Sequence, residues 1–152
     1  MHLSAKADYA LRAAAELAAS GGIFLKIEQV SRAQSVLEKF LADTLLELKR
    51  AGIVRSQRGY KGGYVLAQPP SQISLAKIVY AVDGSLLVNA QGEGPESVKY
   101  AGATQQLREV WSALRVSIDM VLETVTLADL ARGELPKDVR KLVPNPRAQT
   151  RP

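Results

Sequence analysis

Leu48-Lys-Arg-Ala-Gly-Ile-Val-Arg-Ser-Gln-Arg-Gly-Tyr-Lys-Gly-Gly-Tyr-Val-Leu-Ala-Gln-Pro-Pro70 is the stretch on which the fold turns. It opens a segment reaching Val82 that carries Lys49, Arg50, Arg55, Arg58, Lys61 and Lys77 but no Asp or Glu. Cations without counter-charges suit a polyanion. Gly59, Gly62 and Gly63 lie among them, where a backbone turns sharply and can approach another surface closely. Residues 53–57 read as one strand and residues 64–67 as its partner, with Tyr64 and Leu66 alternating against Val65 and Pro69-Pro70 ending the sheet. A basic β-hairpin directly after an amphipathic helix is the second half of a winged helix-turn-helix, and that architecture points to DNA.

Upstream of the hairpin the sequence predicts three helices. Ser4 caps the first, over about residues 5–19, whose many alanines favour helix formation and close packing; Ser20-Gly-Gly22 stops it. After an extended connection at 23–26, a short helix over about 27–34 turns Ile27, Val30 and Ala33 inward, and Ser35 falls in the turn that follows. A third helix over about 37–51 places Leu37, Phe40, Leu41, Leu45 and Leu48 at helical spacing, with Gly52 as its stop.

Downstream, Ser74 caps a fourth helix with Leu75, Ile78, Val79 and Val82 in one stripe, closed by Asp83-Gly84. Residues 85–103 show no sustained periodicity and read as a functional or a disordered loop. From Thr104 to about Thr124 the apolar residues Leu107, Val110, Trp111, Leu114, Ile118, Val121 and Leu122 mark the strongest helix of the chain. Thr126 with Asp129 forms a capping-box pattern for a last short helix through Ala131, and the prolines at 136, 144, 146 and 152 indicate a frayed tail.

Composition bounds the function. With 152 residues the chain can bury one good core, leaving room for an oligomerising appendage. Its formal charge of +5 is unevenly distributed: about +4 over residues 1–66, −3 over 67–131 and +4 over 132–152. Cys is absent, so disulfides and thiolate-bound clusters are excluded. His2 is the only histidine, which rules out an imidazole metal site within one subunit and a catalytic triad. Without His or Cys no nucleophile, base and orienting group come together, so no enzyme is expected. Gly92-Glu-Gly-Pro95 lacks the Lys-Ser/Thr ending of a phosphate loop. No signal-peptide core and no run of about 20 apolar residues is present, so a cytoplasmic, membrane-free protein is expected.

The candidate DNA-contacting residues follow from this layout. Arg55, Arg58 and Lys61 suit phosphates or a narrow minor groove, and Tyr60 at the tip can lie against sugar or phosphate; the plain alternative is a solvated hairpin. Ser35, Glu38 and Lys39 supply hydrogen-bonding groups at the start of the third helix, where base edges are read, with Glu38 able to accept from a cytosine amino group. Lys49 and Arg50 can grip phosphate, or simply snorkel from the helix end and complement its dipole. Trp111 belongs to the apolar stripe of the long helix, as dimer core or as the wall of a ligand pocket.

Four segments resemble the Rrf-two family of bacterial transcription regulators: Leu3-Ser-Ala-Lys-Ala-Asp-Tyr-Ala-Leu-Arg12, the helix end from Phe40-Leu41 to Val54, the tip Arg58-Gly-Tyr-Lys-Gly-Gly-Tyr64, and Ile73-Ser-Leu to Ala81-Val-Asp-Gly84. The likeness is close over residues 1–84 and extends, through the long helix and Thr126-Leu-Ala-Asp-Leu130, to about Ala131. It implies a mainly α winged helix-turn-helix with a small β-hairpin and a long C-terminal dimerisation helix. The organisation is then 1–84 for DNA binding, 85–103 as loop, 104–131 for dimerisation and closure, and 132–152 as a flexible basic tail. The implied function is a homodimeric regulator, a repressor on a pseudo-palindromic operator, bound to double-stranded DNA and to its own copy and controlled by a small-molecule or protein effector. Cluster-bearing members of the family carry three cysteines in the equivalent of 85–103. Asp8 matches a carboxylate that reaches the cluster in some of them, but no cofactor is expected where cysteine is missing. Two alternatives stay open: a module whose chief partner is another protein, and a cysteine-substituted variant of an iron-sulfur sensor.

Overall fold

The computed structural model describes residues 2–88 and 93–144. Helix α1 (Ala5–Ala19) runs through the middle of the core, with Ala7, Ala10, Ala13, Ala14, Leu17 and Ala18 all buried. Alanine lets three neighbours approach one helix closely, so α1 packs against α3 (Glu38–Arg50), α4 (Leu75–Asp83) and α6 (Leu127–Arg132). Ser4 explains both ends of this arrangement. Its hydroxyl oxygen accepts from the Ala7 amide at 3.0 Å to cap α1, and its own O–H donates to Asp83 at the end of α4.

Helix α2 (Ile27–Gln34) ends at Ser35, which has φ 53° and ψ 42°. Among the described residues Ser35 is the only non-glycine with positive φ. The Val36 amide donates to the Ser31 carbonyl at 3.2 Å and the Ser31 hydroxyl donates to the Val36 carbonyl at 2.7 Å, so the α2–α3 turn is tied across its base. Strands β1 (Val54–Gln57) and β2 (Gly63–Leu66) pair antiparallel in the register Val54 to Leu66 and Gln57 to Gly63. Leu41, Leu45, Leu48, Ile53, Val54, Ile73 and Ile78 complete the core around α1.

Helix α5 (Leu107–Thr124) then leaves the module, and the chain returns through α6. The return is firmly anchored: the Leu127 amide donates to the Ile73 carbonyl and the Leu75 amide to the Val125 carbonyl, each at 2.9 Å, and Leu127 is fully buried in the core.

Several expectations need correction. Leu37 and Phe40 do not point into the core; they are 63% and 42% exposed, because α3 begins at Glu38 and turns Thr44 inward instead. Thr44 tolerates burial by donating its hydroxyl to the Phe40 carbonyl at 2.7 Å. Ala33 faces solvent, and Val36, beyond the helix, takes the buried place. The long helix starts at Leu107 rather than Thr104, which belongs to a 3₁₀ turn, Gly102–Thr104. The tail is not frayed throughout: Lys137–Leu142 forms helix α7, started by Pro136 and held on its surface by a Lys141–Asp138 pair at 2.9 Å. The Asn89 to Gly92 part of the loop, and residues 145–152 of the expected tail, lie outside the described residues.

Candidate nucleic-acid interface

The hairpin tip is shaped by contacts that admit no side chain. A Cβ at Gly62 would collide with the Gln57 carbonyl, and one at Gly63, where φ is 140°, with the carbonyl of Leu25. The second contact shows that the hairpin is flanked. The Leu25 amide donates to the Tyr64 carbonyl at 2.9 Å and the Tyr64 amide to the Leu25 carbonyl at 2.8 Å, so the connection between α1 and α2 adds a one-residue third rung to the sheet. It also carries Lys26 and Phe24 to the wing. The Lys26 ammonium lies 5.5 Å from the Tyr60 ring centre, and the Arg55 guanidinium lies 5.2 Å from that of Phe24. Sequence reasoning passed over Lys26 and Phe24. The extended stretch 23–26 was the available signal, but which strand it would join was not visible.

The structure gathers Arg58, Tyr60 and Lys61 at the tip, all exposed, with Tyr60 91% exposed. Beside them a groove of about 430 Å³ runs between the tip and the start of α2, where Gln29 lies with Lys26. Ser35, Glu38 and Lys39 form a second exposed group at the α2–α3 turn and the start of α3; the Lys39 ammonium rests 4.8 Å from the Phe40 ring centre. Lys49 and Arg50 are not part of that group. Twelve positions along α3 separate Glu38 from Arg50, about 18 Å of helix. Lys49 instead donates to the Ser56 hydroxyl at 2.7 Å, bracing the first wing strand against the end of α3.

Electrostatics favour an anionic partner at the tip. Among the described residues Lys26, Lys39, Arg50, Arg55, Arg58 and Lys61 form no ion pair, whereas Lys6 pairs with Glu47 at 3.0 Å and Arg12 with Asp8 at 2.8 Å. Cations left with their charge exposed are available to phosphates and release counterions on binding them. Glu47 and Asp8 are each paired with a cation of α1, Lys6 and Arg12.

Comparisons with known proteins identify the family and match the fold. The family model described as Rrf2, iron-dependent transcriptional regulator, matches residues 3–133. The chain belongs to the Rrf2 family. A protein of Mycobacterium tuberculosis named as a helix-turn-helix-type transcriptional regulator is 43% identical over 150 residues, covering 98% of this chain and 92% of that protein. Among solved structures, the cysteine regulator CymR of Bacillus subtilis superposes with a TM-score of 0.71 at 29% identity, over 89% of this chain and 99% of that one. The IscR structure from T. potens gives 0.69 at 28% identity, over 88% of each chain. This Rrf2 protein is thus a DNA-binding transcription regulator with a winged helix-turn-helix, and the family is one of regulators rather than enzymes.

The family description names iron, and the donor set here does not fit an iron-sulfur cluster. The chain has no cysteine. Among the described residues no three His, Cys, Asp or Glu side chains come together as a metal site. Asp8, the carboxylate expected to face such a centre, is held by Arg12, and Glu96 of the 85–103 loop is held by Arg115. Hard carboxylates already paired with guanidinium groups are poor ligands for a soft cluster. Nor is any described helix long and apolar enough to cross a membrane.

Proposed function

We propose that this Rrf2 regulator works as a homodimer that occupies a pseudo-palindromic operator and represses by covering the promoter. The observation that carries the dimer is α5: an 18-residue amphipathic helix in which no residue is buried within the chain. Leu107, Trp111, Ile118, Val121 and Leu122 are half-covered, and Val110 and Leu114 are 52% and 36% exposed. A stripe of that width facing water is stabilised by meeting its own copy across a two-fold axis. Two winged modules related by that axis read half-sites about one helical turn, or a multiple of it, apart.

In the bound state the wing cations Arg55, Arg58 and Lys61, with Lys26 beside them and Arg50 and Lys49 at the far end of α3, neutralise phosphates. Tyr60 lies against the backbone. Ser35, Glu38 and Lys39 present hydrogen-bonding groups to base edges at the start of α3. Control comes from an effector that alters how α5 sets the two modules apart. The test is a gel-shift titration against genomic fragments over a range of salt. A dimer neutralising on the order of 6–10 phosphates loses affinity steeply as salt rises. A flat salt response, or a protein that stays monomeric while bound, overturns the reading.

A further inference from the structure

Helix α5 carries more apolar surface than the stripe assigned to the dimer. Glu109, Ala113, Val116, Met120 and Glu123 recur at i, i+4, i+7, i+11 and i+14, so they share one row along the helix, an apolar centre with an acid at each end. All five are exposed, Val116 by 63% and Met120 by 53%. The row lies across the helix from Leu107, Trp111, Ile118 and Leu122, which are half-covered. Glu109 and Glu123 form no ion pair among the described residues. Two such rows laid along each other set carboxylate against carboxylate at both ends, whichever way they run, so a second α5 is the wrong cover for this row.

The chain supplies the complement in α7. Leu135, Val139, Leu142 and Val143 recur at i, i+4, i+7 and i+8, an apolar stripe on and beside a helix none of whose residues is buried. Leu142 and Val143 are 58% and 55% exposed. Lys137 and Arg140 lie off the stripe and form no ion pair among the described residues, whereas Lys141 is held by Asp138. The lengths agree: helix rises about 12 Å over the span from 135 to 143 and about 21 Å from Glu109 to Glu123, so the stripe fits between the two acids.

From this complementarity we propose that α7 is an exchanged arm, which in the dimer lays its apolar stripe on the Val116–Met120 row of the other copy's α5, with Lys137 and Arg140 at the acids that end the row. The arm's own α5 is not the occupant, because α7 and the row both stand open within one chain. A second copy is brought to the row by the α5 stripe, since Val110 of that stripe borders Ala113 on the helix surface. A two-fold axis makes the exchange reciprocal, two arms on two rows. The arm adds to the α5 contact and does not replace it. It lies beyond residues 3–133, where the family match ends, so that match does not describe it. The proposal rests on the dimer reading of α5 and names a second surface of that dimer.

The chain has no cysteine, so introduced thiols are the only ones present. Full-length Val116→Cys and Leu142→Cys proteins, tagged to differ in size, are co-expressed and treated with a short bis-maleimide; Met120→Cys with Leu142→Cys is the second pair, and Glu28→Cys with Leu142→Cys the control. All these side chains are exposed, and urea melts check that each variant folds. The expected result is a covalent band containing both tags for the Val116 or Met120 pairing and no such band for the control. In sedimentation, Glu109→Lys with Glu123→Lys is expected to weaken the dimer by about tenfold or more, Lys137→Glu with Arg140→Glu likewise, and all four together to restore it to within about threefold. Absence of the band from both pairs, a cross-link inside one chain when Val116→Cys and Leu142→Cys are combined, or charge reversals that fail to compensate overturns the arm. A natural protein that is monomeric at every concentration overturns the dimer reading as well, whereas a dimer that gives no band sinks the arm alone.

Discussion

Leu25 and Tyr64 exchange main-chain hydrogen bonds, amide to carbonyl in both directions, at 2.9 and 2.8 Å. The pair turns a two-stranded hairpin, which is marginal alone, into a wing supported on its outer edge. It also dictates Gly63, since the Leu25 carbonyl occupies the space a Cβ would need and φ is 140° there. Replacing Gly63 by Ala is expected to lower stability by about 1–3 kcal/mol and to loosen the wing, with DNA affinity falling further than stability does. Urea melts and gel shifts on one preparation measure both. A Gly63→Ala protein as stable as the original would mean that the Leu25 rung does not hold the wing.

Because that rung delivers Lys26 to Tyr60, Lys26 should behave as a phosphate contact although it precedes α2 and lies far from the hairpin in sequence. Lys26→Ala is expected to weaken binding to all sequences alike and to reduce the slope of log affinity against log salt by about one. Arg58→Ala and Lys61→Ala should do the same. Glu38→Ala belongs to a different class: its effect is on which base is preferred at one position, by about 1–3 kcal/mol of discrimination, with little change in slope. Selection from a random-sequence library separates the two. Identical sequence preferences before and after loss of Glu38 would remove it from the reading head.

For the α5 stripe, a charge placed in its exposed centre tests self-association directly. Val110→Asp or Leu114→Asp should convert the dimer to monomer in sedimentation, since burying an unpaired carboxylate at an apolar interface costs several kcal/mol. Each winged module should keep its fold, because neither side chain belongs to the core around α1. Operator affinity then falls to that of a single head. A variant that still sediments as a dimer would place the two-fold contact elsewhere.

Much of this was legible in the chain because the deciding signals are local. Ser4, Ser74 and the Thr126–Asp129 pair are caps readable at three-residue spacing, and each caps the helix it was expected to cap. The bounds of α1 and α2 follow from Ala-rich and amphipathic runs ending at Gly21-Gly22 and at Ser35. What was missed depends on the direction in which an element rolls or on what it meets from far away. Leu37 and Phe40 have the right spacing for the core, but the start of α3 faces outward, where Phe40 stacks on Tyr9 at 6.0 Å between ring centres. The Leu25 rung joins residues 39 positions apart, and α7 hides in a proline-rich tail because a proline at the entrance to a helix reads the same as one that breaks it.

The last prediction concerns the joint through which the long helix hands the chain back to the core. Asp129 accepts hydrogen bonds from the Thr126 amide at 2.9 Å and hydroxyl at 2.8 Å, and pairs with Arg132 at 2.7 Å. The hydrogen bond from the Thr126 backbone, more than any other influence, holds its carboxyl below the ordinary value of 3.8, against the opposing effect of burial. A depressed folded-state pKa means that ionised Asp129 stabilises the protein above the unfolded value, and that this stabilisation fades as pH falls through the lower folded value. Asp129→Ala should therefore cost about 1–2 kcal/mol near neutral pH, where the cap is fully charged. In acid below about pH 3.8 the gap between the two proteins should narrow, since the natural side chain is also losing its charge. Denaturant melts of both proteins across that range decide the matter. A gap of constant size would show that Asp129 acts by packing alone, and that α6 is fastened to the module by Leu127 and the Ile73 carbonyl without help from its cap.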